Sequence, residues 1–295
     1  ETAQLRQRKH PRHDILGAPL DYQNALEPRW RNFLRLSENP WMADHVVAGT
    51  TVFPAAGMMV MAIEAARQLA DGQGEVKGVE FQDLHFMRGV VVPNEDRGLE
   101  TLLQVSPHPG MAGWYEFGIF SLPSGGGWIQ HAKGAFIPRF ENPEDNEHAA
   151  NWAATLARIK DTQSIAHKGD ISHAYQWLSQ TGGLTVGPCF KTTTDVYFCD
   201  SEPRIWLSGV VTDTKQGMPY EKESPSFIHP TTLDCLFQSA LLSCSEALTS
   251  TSANIPVGVD HAYISDWFKP QPGEQFVVHT ETQWRDGKSQ SQCIA

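Results

Sequence analysis

Two short stretches far apart in the chain carry residue types suited to proton transfer. The first runs His45-Val46-Val47-Ala48-Gly49-Thr50-Thr51-Val52-Phe53-Pro54, a His-x3-Gly-x4-Pro spacing. The second runs His229-Pro230-Thr231-Thr232-Leu233-Asp234-Cys235-Leu236-Phe237-Gln238, with Asp-x3-Gln just behind a His-Pro pair. Histidine titrates near neutral pH and so serves as a base. A carboxyl group inside an apolar helix is costly unless it is paired or protonated, and a raised pKa is what a general acid needs. Together they fit elimination of water across the C2–C3 bond of a 3-hydroxyacyl thioester. The base would take the C2 proton while the acid protonates the leaving 3-hydroxyl. The thioester carbonyl must also be polarised, and the free N–H donors and positive dipole end of a helix N-terminus could supply that.

The spacing suggests roles for the neighbours. His45 sits on an approach loop, Gly49 lets the backbone turn or come close to a ligand, and Pro54 opens a helix. Asp234 and Gln238, four apart on a helix, share one face, so Gln238 can hold the acid's orientation. Plainer readings stand beside these: Gly49 as a turn glycine, and Asp234 as an outward residue favoured by a helix N-terminus. A third stretch, Gly182-Gly183-Leu184-Thr185-Val186-Gly187-Pro188-Cys189-Phe190, is a turn sequence ending in an aromatic, readable as a loop between a helix and a strand.

The elements that must position these residues come in a repeated order. Residues 30–36 alternate apolar and polar side chains in the period of a half-buried strand. After the His45 loop, the Ala- and Met-rich run Ala55–Leu69 is apolar nearly all round, which predicts an enclosed helix. Strands are predicted at Gly78–Met87, Glu100–Ser106, Trp114–Leu122 and Trp128–Ile137, the last two joined by a Pro-Ser-Gly-Gly-Gly turn. Acidic, polar residues from 139 to 155 mark a linker, so the chain divides into an N-terminal half (1–140), a linker (141–165) and a C-terminal half (166–295). The second half repeats the order: a lead-in helix at Ser172–Ser179, strands at Thr192–Cys199 and Arg204–Val211, and an enclosed helix over Thr231–Leu248. Strands at Gly258–Trp267 and Gln275–Trp284 follow, and the sequence ends within what reads as a further strand. A long helix wrapped by antiparallel sheet, twice in one chain, is an α+β double hot-dog.

Composition narrows the function classes. Of 295 residues, 40% are apolar, enough for a sizeable core, and 23 basic against 34 acidic residues give a net charge of −11. That balance argues against a nucleic-acid or anionic-membrane surface. The basic cluster at residues 6–9, with His10 and His13 beside it, reads as a solvated tail. Pro54, Gly57 and Glu64 interrupt the longest apolar run, so no membrane span is expected. Five cysteines without a Cys-x-x-Cys pair suggest reduced thiols and a cytoplasmic setting. The strand histidines His85, His131, His261 and His279 lack ligand spacing, so no metal site is expected.

Taken together, the three stretches resemble the dehydratase domain of a polyketide synthase, most closely the fungal highly reducing iterative type. Asp14-Ile15-Leu16-Gly17, Trp41 with Asp44-His45, and Met218-Pro219-Tyr220 leading to Ile228-His229-Pro230 extend the resemblance over essentially the whole chain. It implies a double hot-dog fold with His45 as base and Asp234 as acid in one composite site. Gly49, Pro54 and Gln238 carry over from the paired motifs. Gly183, Gly187, Pro188 and Phe190 carry over from a Gly-x-x-Tyr-Gly-Pro-x-Phe motif. The family's tyrosine is replaced here by Val186, which cannot donate a hydrogen bond; Tyr175 and Tyr197 are candidates to stand in. The resemblance further implies a substrate delivered on the phosphopantetheine arm of an acyl carrier protein, no bound cofactor or metal, neighbouring synthase domains and a dimeric parent enzyme. Two other functions share the fold: a product-template domain that directs cyclisation, and a non-catalytic scaffold. The Asp-x3-Gln spacing and the retained His45 and Asp234 favour dehydration over both.

Overall fold

The computed structural model describes residues 9–20, 26–140, 148–200, 202–244, 254–266, 271–285 and 288–295. The first part of the chain gives β1 (Ala18–Pro19), β2 (Arg29–Leu34), β3 (His45–Val47), β4 (Thr50–Phe53), helix α1 (Ala55–Leu69), β5 (Gly78–Phe86), β6 (Val90–Val91), β7 (Leu99–Pro107), β8 (Tyr115–Leu122) and β9 (Ile129–Arg139). Then come α2 (His148–Ile165), β10 (His167–Lys168), α3 (Ile171–Gln180), β11 (Leu184–Val186), β12 (Thr193–Phe198), β13 (Arg204–Val210), α4 (Pro230–Ser243), β14 (Gly258–Ser265), β15 (Gln275–Arg285) and β16 (Lys288–Ile294).

Two long helices, α1 and α4, pack against each other, and each lies on its own antiparallel sheet. Residues Ala56 to Ala66 of α1 are all buried, as its unbroken apolar character requires. Glu64 is the charged exception. Its Oε1 accepts from the Phe227 amide at 2.6 Å and its Oε2 from Arg67 at 2.8 Å, which offsets the cost of burial. Helix α4 rests on β13, β15 and β16 and buries Asp234 and Gln238 within its apolar face. This is the α+β double hot-dog arrangement.

The halves are less separate than the linear reading implies. The larger sheet has the order β1-β2-β7-β8-β9-β5-β14, so β14 of the second half pairs with β5 of the first, from Gly258 opposite His85 to Ser265 opposite Gly78. The other large sheet, β10-β12-β13-β15-β16, belongs wholly to the second half. The stretch expected as a linker includes helix α2, which spans His148–Ile165; residues 141–147 lie outside the described ones. The predicted end of the second long helix at Leu248 and of its following strand at Trp267 also lie outside them.

The solvated-tail reading fails at His13. It is buried, its Nδ1 accepts from the Ile15 and Leu16 amides, and its Nε2 stands 4.0 Å from Glu64. Burial holds its pKa below the ordinary imidazole value. Beside it, Asp14 and Ser224 exchange two hydrogen bonds, Ser224 N to Asp14 Oδ2 at 2.6 Å and Asp14 N to Ser224 Oγ at 3.1 Å. The start of the described chain is thereby stapled to the loop that leads into α4.

Candidate active site

A third, small sheet, β11-β3-β4-β6, assembles the site. Strands β3 and β4 form a tight hairpin whose two turn residues, Ala48 and Gly49, both have positive φ (46° and 79°). That is the backbone of a two-residue hairpin turn and explains the glycine. Gly49 is exposed, and an added Cβ would meet nothing within 4 Å, so the turn reading accounts for it. The hairpin folds Val52 back onto His45, whose Nδ1 lies 2.7 Å from the Val52 carbonyl oxygen. A carbonyl only accepts, so in the neutral ring Nδ1 carries the hydrogen and Nε2 is left with its lone pair. Two residues beyond Val52, Pro54 precedes the first turn of α1 in extended conformation, and no side chain caps that helix end.

The acid side is set by α4. His229 caps the helix, its Nδ1 accepting from the Thr231 amide at 3.2 Å, and Pro230 takes the first helical position. Asp234 follows on the buried face. Its Oδ1 stands 3.9 Å from His45 Nε2, and the two side chains are 4% and 8% exposed. Burial pushes the Asp234 carboxyl above its ordinary value of 3.8; the neighbouring His45 and the Gln238 hydrogen bond pull the other way without cancelling it. Gln238 donates from Nε2 to Asp234 Oδ2 at 3.0 Å and to the Phe190 carbonyl at 3.2 Å.

The third stretch, readable from sequence as a connecting loop, is a strand of the site. Strand β11 pairs antiparallel with β3, placing Leu184 opposite Val47 and Val186 opposite His45. Val186 is buried there. Gly187 donates its amide to the Asp44 carbonyl at 2.7 Å, Pro188 opens a short 3-10 turn, and the fully buried Phe190 lays its ring 5.2 Å from the His45 ring. Trp41 ties the three stretches together, with ring distances of 6.2 Å to Phe53, 6.0 Å to Phe190 and 4.9 Å to His229. The structure therefore gathers His45, Asp234, Gln238, Val186 and Gly187 into one place, with Pro188 in the adjoining turn and Pro54 at the start of α1.

Each candidate tyrosine has a partner of its own. The Tyr175 hydroxyl accepts from the Thr193 amide at 3.2 Å, and burial pushes its pKa to about 12. Tyr197 lies on β12, stacked on Trp206 at 3.9 Å. Sequence reading missed Asp44 as an organiser; its place just before the histidine was the one available signal. Among the described residues, no group of three or more His, Cys, Asp or Glu side chains is arranged to hold a metal ion, and no helix is long and apolar enough to cross a membrane.

Comparison with known proteins bears on the family and the fold. A family model described as polyketide synthase dehydratase domain matches residues 13–122, and one described as polyketide synthase dehydratase N-terminal domain matches residues 153–292. The chain is 49% identical over its whole length to the highly reducing polyketide synthase cnsI of Penicillium expansum, of which it spans 12%. It is 37% identical over 88% of its length to the highly reducing polyketide synthase alnA of Emericella nidulans, spanning 10% of that protein. Among solved structures it is similar to the dehydratase domain from the CurK module of the curacin polyketide synthase. The TM-score is 0.74 at 18% identity, covering 96% of this chain and 92% of that one. That domain has also been solved as two variants described as inactive, one with a histidine changed to phenylalanine and one with an aspartate changed to asparagine. This chain belongs to the polyketide synthase dehydratase family and is a domain of the kind found in fungal highly reducing synthases.

Proposed function

We propose that His45 and Asp234 together remove water from a 3-hydroxyacyl thioester to give the 2,3-enoyl thioester. The observation that carries this reading is the 3.9 Å approach of His45 Nε2 to Asp234 Oδ1 in a buried site, with His45 Nδ1 committed to the Val52 carbonyl. Nε2 takes the C2 proton. Asp234, whose protonated form is favoured by burial, gives its proton to the 3-hydroxyl as the C3–O bond breaks, and water leaves. Gln238 holds the carboxyl in register, and the N–H groups of the uncapped first turn of α1 polarise the thioester carbonyl. Val186 packs beside the reacting atoms as an apolar wall, and Gly187 and Pro188 shape the turn next to it. Gly49 acts through the hairpin that brings Val52 to His45. That the CurK domain is described as inactive with a histidine or an aspartate replaced supports a need for both residue types.

The substrate arrives on the phosphopantetheine arm of an acyl carrier protein. The partners are that carrier and the neighbouring domains of a longer, dimeric synthase, and the chemistry needs no bound metal or cofactor. The test is incubation of the chain with 3-hydroxyacyl pantetheine thioesters of several lengths and both hydroxyl configurations, beside His45→Phe. Ultraviolet absorbance and mass spectrometry follow the enoyl product. Conversion by the wild type alone is expected; no conversion by either would overturn the reading.

A further inference from the structure

Asp44 takes no part in the proton transfers proposed above, yet it is bonded to the turn that holds the acid. Its Oδ2 accepts from the Cys189 amide at 2.8 Å, and its carbonyl accepts from the Gly187 amide at 2.7 Å. The Gly187 backbone lies so close against the Asp44 side chain that a Cβ on Gly187 would lie 2.2 Å from Asp44 Oδ1. This double attachment fixes the turn Gly187–Phe190, itself closed by Phe190 N to Gly187 O at 3.1 Å. The far end of that turn is the Phe190 carbonyl, which accepts from Gln238 Nε2, and the same nitrogen donates to Asp234 Oδ2. From Asp44 one peptide bond leads to His45, and one chain of hydrogen bonds leads through the turn and Gln238 to Asp234.

We propose that Asp44 is a positioning residue that sets the separation of His45 and Asp234 by clamping the 187–190 turn between them. The inference rests on the dehydratase reading of the site. Charge on the carboxylate strengthens the bond to the Cys189 amide, and its neighbourhood leaves a mark on the thiol: burial first, and Asp44 second, push the Cys189 pKa up to about 12. Removing the carboxylate strands the Cys189 amide and frees the turn. Phe190 and Gln238 then hold Asp234 less tightly, and small misplacements of reacting groups are expensive in rate.

The experiment compares Asp44→Ala and Asp44→Asn with the wild type on a 3-hydroxyacyl pantetheine thioester. It also follows the Asp234 carboxyl titration by carbon-13 NMR. Asp44→Ala should lose about 10- to 100-fold in kcat with KM little changed. Its Asp234 titration should move upward, in the direction produced by Gln238→Ala, because the bond from Gln238 favours the ionised carboxyl. Asp44→Asn, whose amide oxygen can still accept from Cys189, should recover most of the turnover. Asp44→Ser, too short to reach that amide, replaces the alanine variant if the latter does not fold. Wild-type kcat and an unmoved Asp234 titration in the truncated variant would overturn the proposal, as would equal losses in Ala and Asn. The titration needs no turnover, so an inactive wild type would end the dehydratase reading while the titration still decides whether Asp44 positions Asp234.

Discussion

Val186 is the cross-strand partner of His45, directly opposite it in the β11–β3 ladder. The place where the family carries a tyrosine is thus beside the proposed base, and this chain puts a buried apolar side chain there. The Tyr175 hydroxyl is bonded to the Thr193 amide, and the Tyr197 ring is stacked on Trp206.

The value of a hydroxyl at this position can be separated from its bulk. Val186→Phe and Val186→Tyr should both be slower than the wild type, because overpacking a buried site costs about 1–3 kcal/mol. Tyr should nevertheless outpace Phe by roughly fivefold, the worth of one hydrogen bond of about 1 kcal/mol. Equal rates for the two variants would mean that a hydroxyl there does not reach the substrate.

Replacing either member of the pair should abolish chemistry while sparing the fold. Asp234→Asn and His45→Phe are each expected to lose about 10²–10⁴ in turnover. Asp234→Asn removes a buried ionisable group but keeps its shape, so its melting temperature should match or exceed that of the wild type. Turnover near the wild-type rate in Asp234→Asn would remove Asp234 as the acid.

The pH dependence has a definite sign. Turnover needs Asp234 protonated, so kcat should fall on the alkaline side as Asp234 ionises, above the ordinary 3.8 of an aspartate. The Gln238 hydrogen bond favours the ionised form, so Gln238→Ala should move that limb to higher pH. Stability follows the same group. Between 3.8 and the raised folded value the native state holds a proton that the unfolded chain has released, so stability falls as pH rises through that window. Urea titrations across the window should show this slope in the wild type and not in Asp234→Asn.

Two glycines from the matched motifs should respond differently. Gly49→Ala places a side chain at φ +79° in open space, so it should cost about 1–2 kcal/mol of stability and little turnover per folded molecule. Gly187→Ala drives a methyl group into the Asp44 carboxylate and should lose both stability and kcat. Thermal melts with active-site-normalised rates distinguish the two; a large rate loss in Gly49→Ala would point to direct contact with substrate.

Much of the fold was legible because its main elements are long. Helix α1 runs Ala55–Leu69 as read, since Pro54 and an unbroken apolar run mark it unambiguously. His45, Asp234 and Gln238 stood out by residue type and spacing, and the structure brings the three together. The small sheet was not: β3, β4 and β11 are three or four residues long, too short to show a period. The pairing of Val186 with His45 spans a separation that local pattern does not encode. Helix α2 was hidden by the acidic stretch before it. His13 looked like tail because its partners, Glu64 and the segment around Ser226, come from far along the chain.

The passage of β14 into the first sheet gives the molecule a mechanical character. A chain ending after β9 would leave β5 with a bare edge, and a fragment carrying only the later residues would lack a seat for β14. The lobes are therefore interlocked like clasped hands. Separately produced fragments should meet only by complementation, and unfolding should proceed as a single cooperative event rather than lobe by lobe. A site shared between lobes gains from this, because strand pairing ties the half that carries the base to the half that carries the acid.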